Sequence, residues 1–414
     1  MSIIKLAFKN VLARPINLVI SVILFALGIG LIGFLLLFQD QIRTKFESNL
    51  AGIDLVVGAK GSPLQLILCN MYHIDNPTGN IKIKDASPFF RTNHPVVKKA
   101  VPLSLGDNYK TYRIIGTTHE ILDLYKAKLV DGKLWDTDLE VVIGKEVAEK
   151  GKLKVGDKFN SSHGFTEDVD LAHDEFSFKV TGIVGATGTV LDQLILTNTS
   201  SVWLVHEKGA DSIVYKTYKE DNTFEGLLKY PDRDITSMLI QYRSKTNYQA
   251  LNLPRNINEN TAMQAASPAF EISKLFNLIG VGTQALKWIG IIIGFVSALS
   301  IFLSLYRSLK ERKYELALIR AMGANKSKVF WLILLEGLIY TIIGWIVGTL
   351  LSHAGMEIMA TYLKNDFKYS FTGFTWLKEE WIILGVAIVI GIVSAIIPAY
   401  KASKEDIHLT LTER

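Results

Sequence analysis

The chain has 414 residues, room for two or three domains, of which 49% are hydrophobic and 21% charged. A mean hydropathy of +0.24 argues against a wholly water-soluble enzyme, and so much Leu, Ile and Val excludes disorder as the main theme. A net charge of +5 is too balanced for a nucleic-acid partner, and a single cysteine, Cys69, excludes an internal disulfide framework or a Cys-x-x-Cys metal knuckle.

Residues 1–17 open with Ile3, Ile4, Ala7, Phe8, Val11 and Leu12 in one stripe at helical spacing, with Lys5, Lys9 and Asn10 opposite. This predicts a short basic amphipathic helix, either lying in the membrane interface or packed sideways on a bundle. Residues 18–38 then read LVISVILFALGIGLIGFLLLF without a charge. In lipid such a run must bond its own backbone, so 18–39 is expected to be a transmembrane helix. The run is too long for a signal-peptide core and no small-x-small site follows it, which predicts an uncleaved anchor. Leu66-Ile67-Leu68-Cys69 has the look of a lipoprotein cleavage box but ends no N-terminal signal peptide, so Cys69 is read as an ordinary small apolar residue.

Residues 40–285 have ordinary mixed composition. Ile42, Phe46 and Leu50 on one side, and Phe270, Leu275, Phe276, Leu278 and Ile279 on the other, predict that two spans continue as amphipathic stalks packed on each other. Between them, strands are expected at 139–143, 154–159, 176–184, 192–197, 212–218 and 235–242, and helices at 145–151, 198–207 and 246–251. The expectation is an α+β domain in two lobes divided near residues 130 and 210.

Three further apolar runs predict transmembrane helices at 286–307, 329–352 and 381–400, separated by loops at 308–328 and 353–380 and followed by a tail at 401–414. The fold class is therefore a polytopic α-helical membrane protein with four spans arranged 1+3 and a large extracytoplasmic domain between the first and second. Lys5, Lys9 and Arg14 precede the first span, and Arg307 together with the 308–328 loop supplies seven basic residues, whereas 353–380 is charge-balanced. By the positive-inside rule both termini and the basic loop are cytoplasmic. Trp288, Trp376 and Trp381 then fall near the outer interface and Trp331 near the inner one. Gly290 with Gly294, and Gly344 with Gly348, form small-xxx-small pairs that permit close helix packing. Glu336 stands well inside a span. It is either a polar contact between helices that moves during a cycle or a residue near enough to the cytoplasmic face to be solvated.

The basic loop holds helix formers with apolar residues at Tyr314, Leu318, Ala321 and Met322, then Gly323 as a stop. It is either a docking element for a cytoplasmic partner or a helix lying against lipid. No Gly-x-Ser-x-Gly, His-Glu-x-x-His or Walker A sequence is present, so neither catalysis nor ATP binding is expected of these residues. The segment 161–176 gathers His163, Glu167, Asp168, Asp170, His173, Asp174 and Glu175. His163, Asp170, His173 and Asp174 are weak candidates for a zinc-like ion, against an ordinary solvated acidic loop. His73, His94 and His119 are read as structural.

Several stretches resemble the MacB/FtsX-like permeases of mechanotransmission-type ABC transporters. Glu311-Arg312-Lys313-Tyr314-Glu315-Leu316-Ala317-Leu318-Ile319-Arg320-Ala321-Met322-Gly323-Ala324 is similar to that family's cytoplasmic motif, and Ile397-Pro398-Ala399-Tyr400-Lys401-Ala402 to the close of its last span. In the middle domain Asp131–Trp135, Val141–Gly144, Leu153–Asp157 and Phe178–Val184 follow the family's order. The resemblance implies an FtsX-like permease domain at about 286–410 and a MacB-like core domain at 40–285, in a bacterial inner membrane. It further implies a coupling helix at 308–328 that meets an ABC ATPase through Glu315, Leu318, Ile319, Arg320, Met322 and Gly323. The implied partners are two copies of a separate cytoplasmic ATPase, which carry the ATP and magnesium, a second permease copy or a diverged sister, and a periplasmic or outer-membrane protein. The implied work is export or lipoprotein and envelope substrate handling. The alternative is a non-transporting regulator that activates an envelope hydrolase or a sensor.

Overall fold

In the computed structural model, residues 2–50, 52–91, 93–162, 172–206, 223–366 and 371–405 are described. They form two units, one of Met1–Arg43 with Leu278–Arg414 and the other of Thr44–Asn277. Among the described residues four helices are long and apolar enough to cross a membrane. They are Pro15–Ser48, Pro268–Glu311, Lys326–Asp366 and Glu379–Lys404, called here the first to fourth span helices.

Local chemistry sets their ends. Ser2 accepts a hydrogen bond from the Lys5 backbone N–H (3.3 Å) and caps an N-terminal helix, Ile3–Leu12. The first span helix begins at Pro15, a residue whose fixed φ suits a first helical position. Asn325 accepts from the Lys328 N–H (2.9 Å), so the third span helix begins at Lys326 rather than near 329. That helix also runs further than expected. The 353–380 stretch, read as a loop, is helical as far as Asp366, because 356–364 are helix-compatible residues without Gly or Pro.

Small residues let the span helices approach. A Cβ at Gly344 would lie 2.6 Å from the Phe25 ring, and one at Gly348 would lie 2.8 Å from the Ala26 carbonyl oxygen. A Cβ at Gly28 would meet the Gly294 nitrogen at 3.3 Å, and one at Gly290 would strike Ile32 at 2.7 Å. Both glycine pairs therefore pack on the first span helix. Around them Phe25, Ile29, Ile301, Leu305, Leu334, Ala387 and Ala395 form one apolar cluster. Trp288, Trp331, Trp376 and Trp381 stand about half exposed on the outside of this unit, where an amphipathic ring can sit at a membrane surface.

The N-terminal stripe divides. Ala7 and Val11 are buried, while Ile4, Phe8 and Leu12 are exposed. The helix thus packs on the bundle with one face and keeps a separate apolar face outward. Asn10, expected opposite the apolar stripe, instead turns inward.

The other unit is built on β1 (Leu55–Ala59), β2 (Ile81–Lys82), β3 (Val97–Tyr109), β4 (Tyr112–Thr117), β5 (Leu129–Gly132), β6 (Glu140–Ile143), β7 (Lys158–Ser162), β8 (Ala172–Val184), β9 (Ile195–Thr197), β10 (Asp234–Ile235), β11 (Ser237–Tyr242) and β12 (Met263–Ala266). A ten-stranded sheet runs β12-β1-β11-β3-β4-β9-β6-β8-β5, with β7 joined to β3 and β8. The long β3 pairs with β11 over its first half and with β4 over its second. Two apolar cores follow from this change of partner. One gathers Leu55, Phe89, Trp203, Met238, Ile240 and Met263, and the other Tyr112, Ile114, Val141, Phe159, Phe178 and Ile195. The second core begins on β4, earlier than a division at 130. The division near 210 and the strand expected at 212–218 lie outside the described residues.

Most expected elements recur with shifted ends. The helix Lys145–Gly151 matches its expectation, and Thr199–His206 differs by one residue at each end. The helix expected at 246–251 runs Tyr248–Asn260, and the expected strand at 192–197 is a 3-10 turn followed by the short β9. The stalk residues Phe46 and Phe276 meet edge to face at 5.6 Å. Cys69 is fully buried, and burial pushes its thiol up to about 11, so it stays a protonated core residue. His94 accepts from the Val96 and Val97 N–H groups, and His119 bonds the Trp135 carbonyl at 2.9 Å.

Glycine contacts give a paired test. Gly348→Ala puts a methyl group against backbone and should cost about 1–3 kcal/mol, lowering the thermal midpoint of the purified chain in detergent. Gly294→Ala points into open space and should leave the midpoint unchanged or higher.

Candidate functional site

The basic loop between the second and third span helices is itself structured. Arg312, at φ −110°, interrupts the helical path, and a separate loop helix spans Lys313–Ala321. Glu315 in its first turn and Arg320 in its last match the helix dipole. At its end Gly323 takes φ +101°, its N–H donates to Arg320 O (3.0 Å), and Ala324 N–H donates to Ile319 O (3.2 Å). This is a Schellman stop, which a residue with a Cβ would strain.

The two faces of the loop helix differ. Leu316 and Ala317 are buried, and Leu316 packs with Ala7, Val329, Leu332, Ala399 and Ala402. The small residues after Pro398 thus form part of the seat for this helix. Tyr314, Leu318 and Met322 point outward, 46%, 46% and 80% exposed. Of the six residues expected to meet a partner, Glu315, Leu318, Met322 and Gly323 are exposed, while Ile319 and Arg320 are half-buried. The Arg320 guanidinium donates to the Glu405 backbone oxygen and Lys313 pairs with the Glu405 carboxylate, tying the loop helix to the end of the fourth span helix.

Glu336 sits behind this helix and is 3% exposed. Its Oε1 accepts from Asn10 Nδ2 at 2.7 Å and from Arg312 Nη1 at 3.1 Å. Arg312 is itself 11% exposed and reaches Glu315 Oε2 with Nε at 2.9 Å. Arg14 pairs with Glu311 at 3.1 Å nearby. The carboxylate is a polar contact joining the N-terminal helix, the start of the loop helix and the third span helix.

The sequence did not single out Asn10 or Arg312 as partners of Glu336, nor Leu316 and Ala317 as anchors. One signal was available: a lone intramembrane acid needs a cation, and Arg312 lies in the adjoining basic loop. His163 and Asp170 fall outside the described residues, and for His173 and Asp174 only the backbone, in β8, is described. Among the described residues no group of three or more His, Cys, Asp or Glu could hold a metal ion.

Two family models match this chain. The FtsX-like permease C-terminal model covers residues 288–407, and the MacB-like periplasmic core domain model covers 18–252, more than half of the sequence. The chain belongs to the MacB/FtsX-like permease family. It is accordingly a membrane protein of the ABC-permease type whose α+β domain is of the periplasmic kind. It is 18% identical over 97% of its length to the macrolide export ATP-binding/permease protein MacB of Photorhabdus laumondii, covering 59% of that protein. It is 24% identical over 36% of its length to the ABC transporter permease YtrF of Bacillus subtilis, covering 35% of it. The chain thus spans less than two thirds of either relative. The periplasmic region of MacB from Actinobacillus actinomycetemcomitans aligns with 56% of this chain and 98% of its own, at 13% identity and a TM-score of 0.34.

Removing one member of the buried pair leaves the other uncompensated. Glu336→Ala should destabilise the purified chain by about 3 kcal/mol, whereas Arg312→Leu with Glu336→Leu should recover most of that loss. Thermal unfolding of the wild type and the two variants checks both expectations.

Proposed function

We propose that this chain is the permease subunit of an ABC transporter in a bacterial cytoplasmic membrane, converting ATP hydrolysis by a separate cytoplasmic ATPase into work outside the membrane. Both termini and the basic loop are cytoplasmic in this reading, and the α+β domain is extracytoplasmic. The charge asymmetry supports it, since the 308–328 loop is strongly basic and the 353–380 stretch is balanced.

The observation that carries the proposal is the loop helix. Its Leu316 and Ala317 face is locked into the bundle, and its Tyr314, Leu318 and Met322 face is offered outward. A helix held this way can pass a push from a bound partner to the span helices without first bending. Arg312 links that push to Glu336, and the tie to Glu405 links it to the fourth span helix. The first and second span helices extend beyond their apolar runs, which suits them as rods carrying movement outward.

In this account ATP and magnesium belong to two ATPase copies, and the permease acts with a second copy of itself or a diverged sister. The work is export or the handling of lipoproteins and other envelope substrates. The similarity to a protein described as a macrolide exporter favours transport over pure regulation.

Leu318→Asp with Met322→Asp places two charges on the outward face without touching the buried one. Co-purification of the ATPase should fall at least tenfold while the permease keeps its elution profile. Undiminished co-purification and ATPase stimulation would refute the docking assignment.

A further inference from the structure

Beside the loop helix the second and fourth span helices end around a concave basic site of about 280 Å³, lined by Tyr306, Leu309, Lys310, Lys313, Tyr400, Lys401, Lys404 and Glu405. Its cations are arranged on aromatic rings. Lys310 Nζ and Lys401 Nζ lie over the same Tyr306 ring, 5.2 and 5.0 Å from its centre, and Lys404 Nζ lies 4.5 Å from the centre of Tyr400. The one carboxylate in the lining, Glu405, is already taken by Lys313. Among the described residues no carboxylate forms an ion pair with Lys310, Lys401 or Lys404. Two ammonium groups brought to one ring repel each other, and a ring's electrostatic attraction for an exposed cation is modest. Among the described residues the arrangement is therefore short of an anion.

The place of the site narrows the anion. Tyr306 and Tyr400 close the second and fourth apolar runs, the level at which amphipathic rings meet lipid headgroups. Leu309 at the floor is buried. A phosphate set at the edge of the hydrocarbon, with room for acyl chains alongside the exposed apolar faces of both helices, has the chemistry this pocket lacks. Basic pockets between spans are suited to anionic headgroups. We infer that the Lys310, Lys401 and Lys404 pocket binds the phosphate headgroup of an anionic phospholipid. This does not depend on the ATPase docking at the loop helix. Lipid bound here would bridge the second and fourth span helices at the base of the loop helix.

The test uses the purified full-length chain in neutral detergent, titrated with phosphatidylglycerol or phosphatidylcholine and read by native mass spectrometry. Phosphatidylglycerol should be retained at least tenfold better than phosphatidylcholine. Each lysine near an anionic surface contributes about fivefold, so Lys310→Gln with Lys401→Gln and Lys404→Gln should weaken retention by roughly a hundredfold at low salt. A charge-matched control, Lys145→Gln with Lys150→Gln and Lys152→Gln, should leave it intact, and unchanged thermal midpoints establish that both variants are folded. Equal retention by the pocket variant, or equal loss in the control, overturns the site. Displacement of the lipid by millimolar inorganic phosphate overturns the lipid assignment in favour of free phosphate.

Discussion

A carboxylate withdrawn from water inside a helical bundle costs several kcal/mol unless a cation and hydrogen-bond donors meet it. Glu336 is such a group, and its partners come from two other segments, Asn10 from the N-terminal helix and Arg312 from the head of the loop helix. The requirement to keep that charge matched fixes where both pieces lie. The apolar seat of Ala7, Leu316, Ala399 and Ala402 then fills in around it. Without the pair the loop helix would keep its apolar contacts but lose the polar contact that sets its register on the third span helix.

The glycines supply the complementary constraint. Close approach of the first span helix to the second and third leaves no space for a Cβ at Gly290, Gly344 or Gly348. Lipid offers no hydrophobic drive to bring helices together, so packing and buried polar contacts must hold the bundle. The glycine contacts and the Glu336 group supply one of each. Outside the bundle, Tyr314, Leu318 and Met322 remain as an apolar face on a strongly basic loop, a surface suited to a protein partner and central to the proposed coupling.

Much of this was legible in the sequence because lipid imposes simple rules. The four apolar helices stand out as long apolar runs that hold no charge besides Glu336, and the loop helix is announced by its spacing and by Gly323. Helix ends were harder to read. The N-cap at Asn325 and the continuation of the third span helix to Asp366 depend on local chemistry that hydropathy does not weigh. In the α+β domain the hairpin of β3 and β4 was missed, because a strand buried on both faces and pairing with two different neighbours shows no clean alternation. Asn10 looked like a surface residue because a helical wheel ranks residues by polarity and cannot see an acid on another helix. The glycine pairs likewise take their significance from Phe25, Ala26 and Ile32 on a different span helix, which the spacing alone does not show.

The proposed function requires the loop helix and the α+β domain to face opposite sides of the membrane. It is tested most directly by single cysteines in a Cys69→Ala background, one replacing the highly exposed Met322 and one the highly exposed Tyr248. A membrane-impermeant maleimide applied to intact cells with a permeabilised outer envelope should label position 248 and spare 322, with the pattern reversed in inside-out vesicles. Labelling of both positions from the same side would contradict the account.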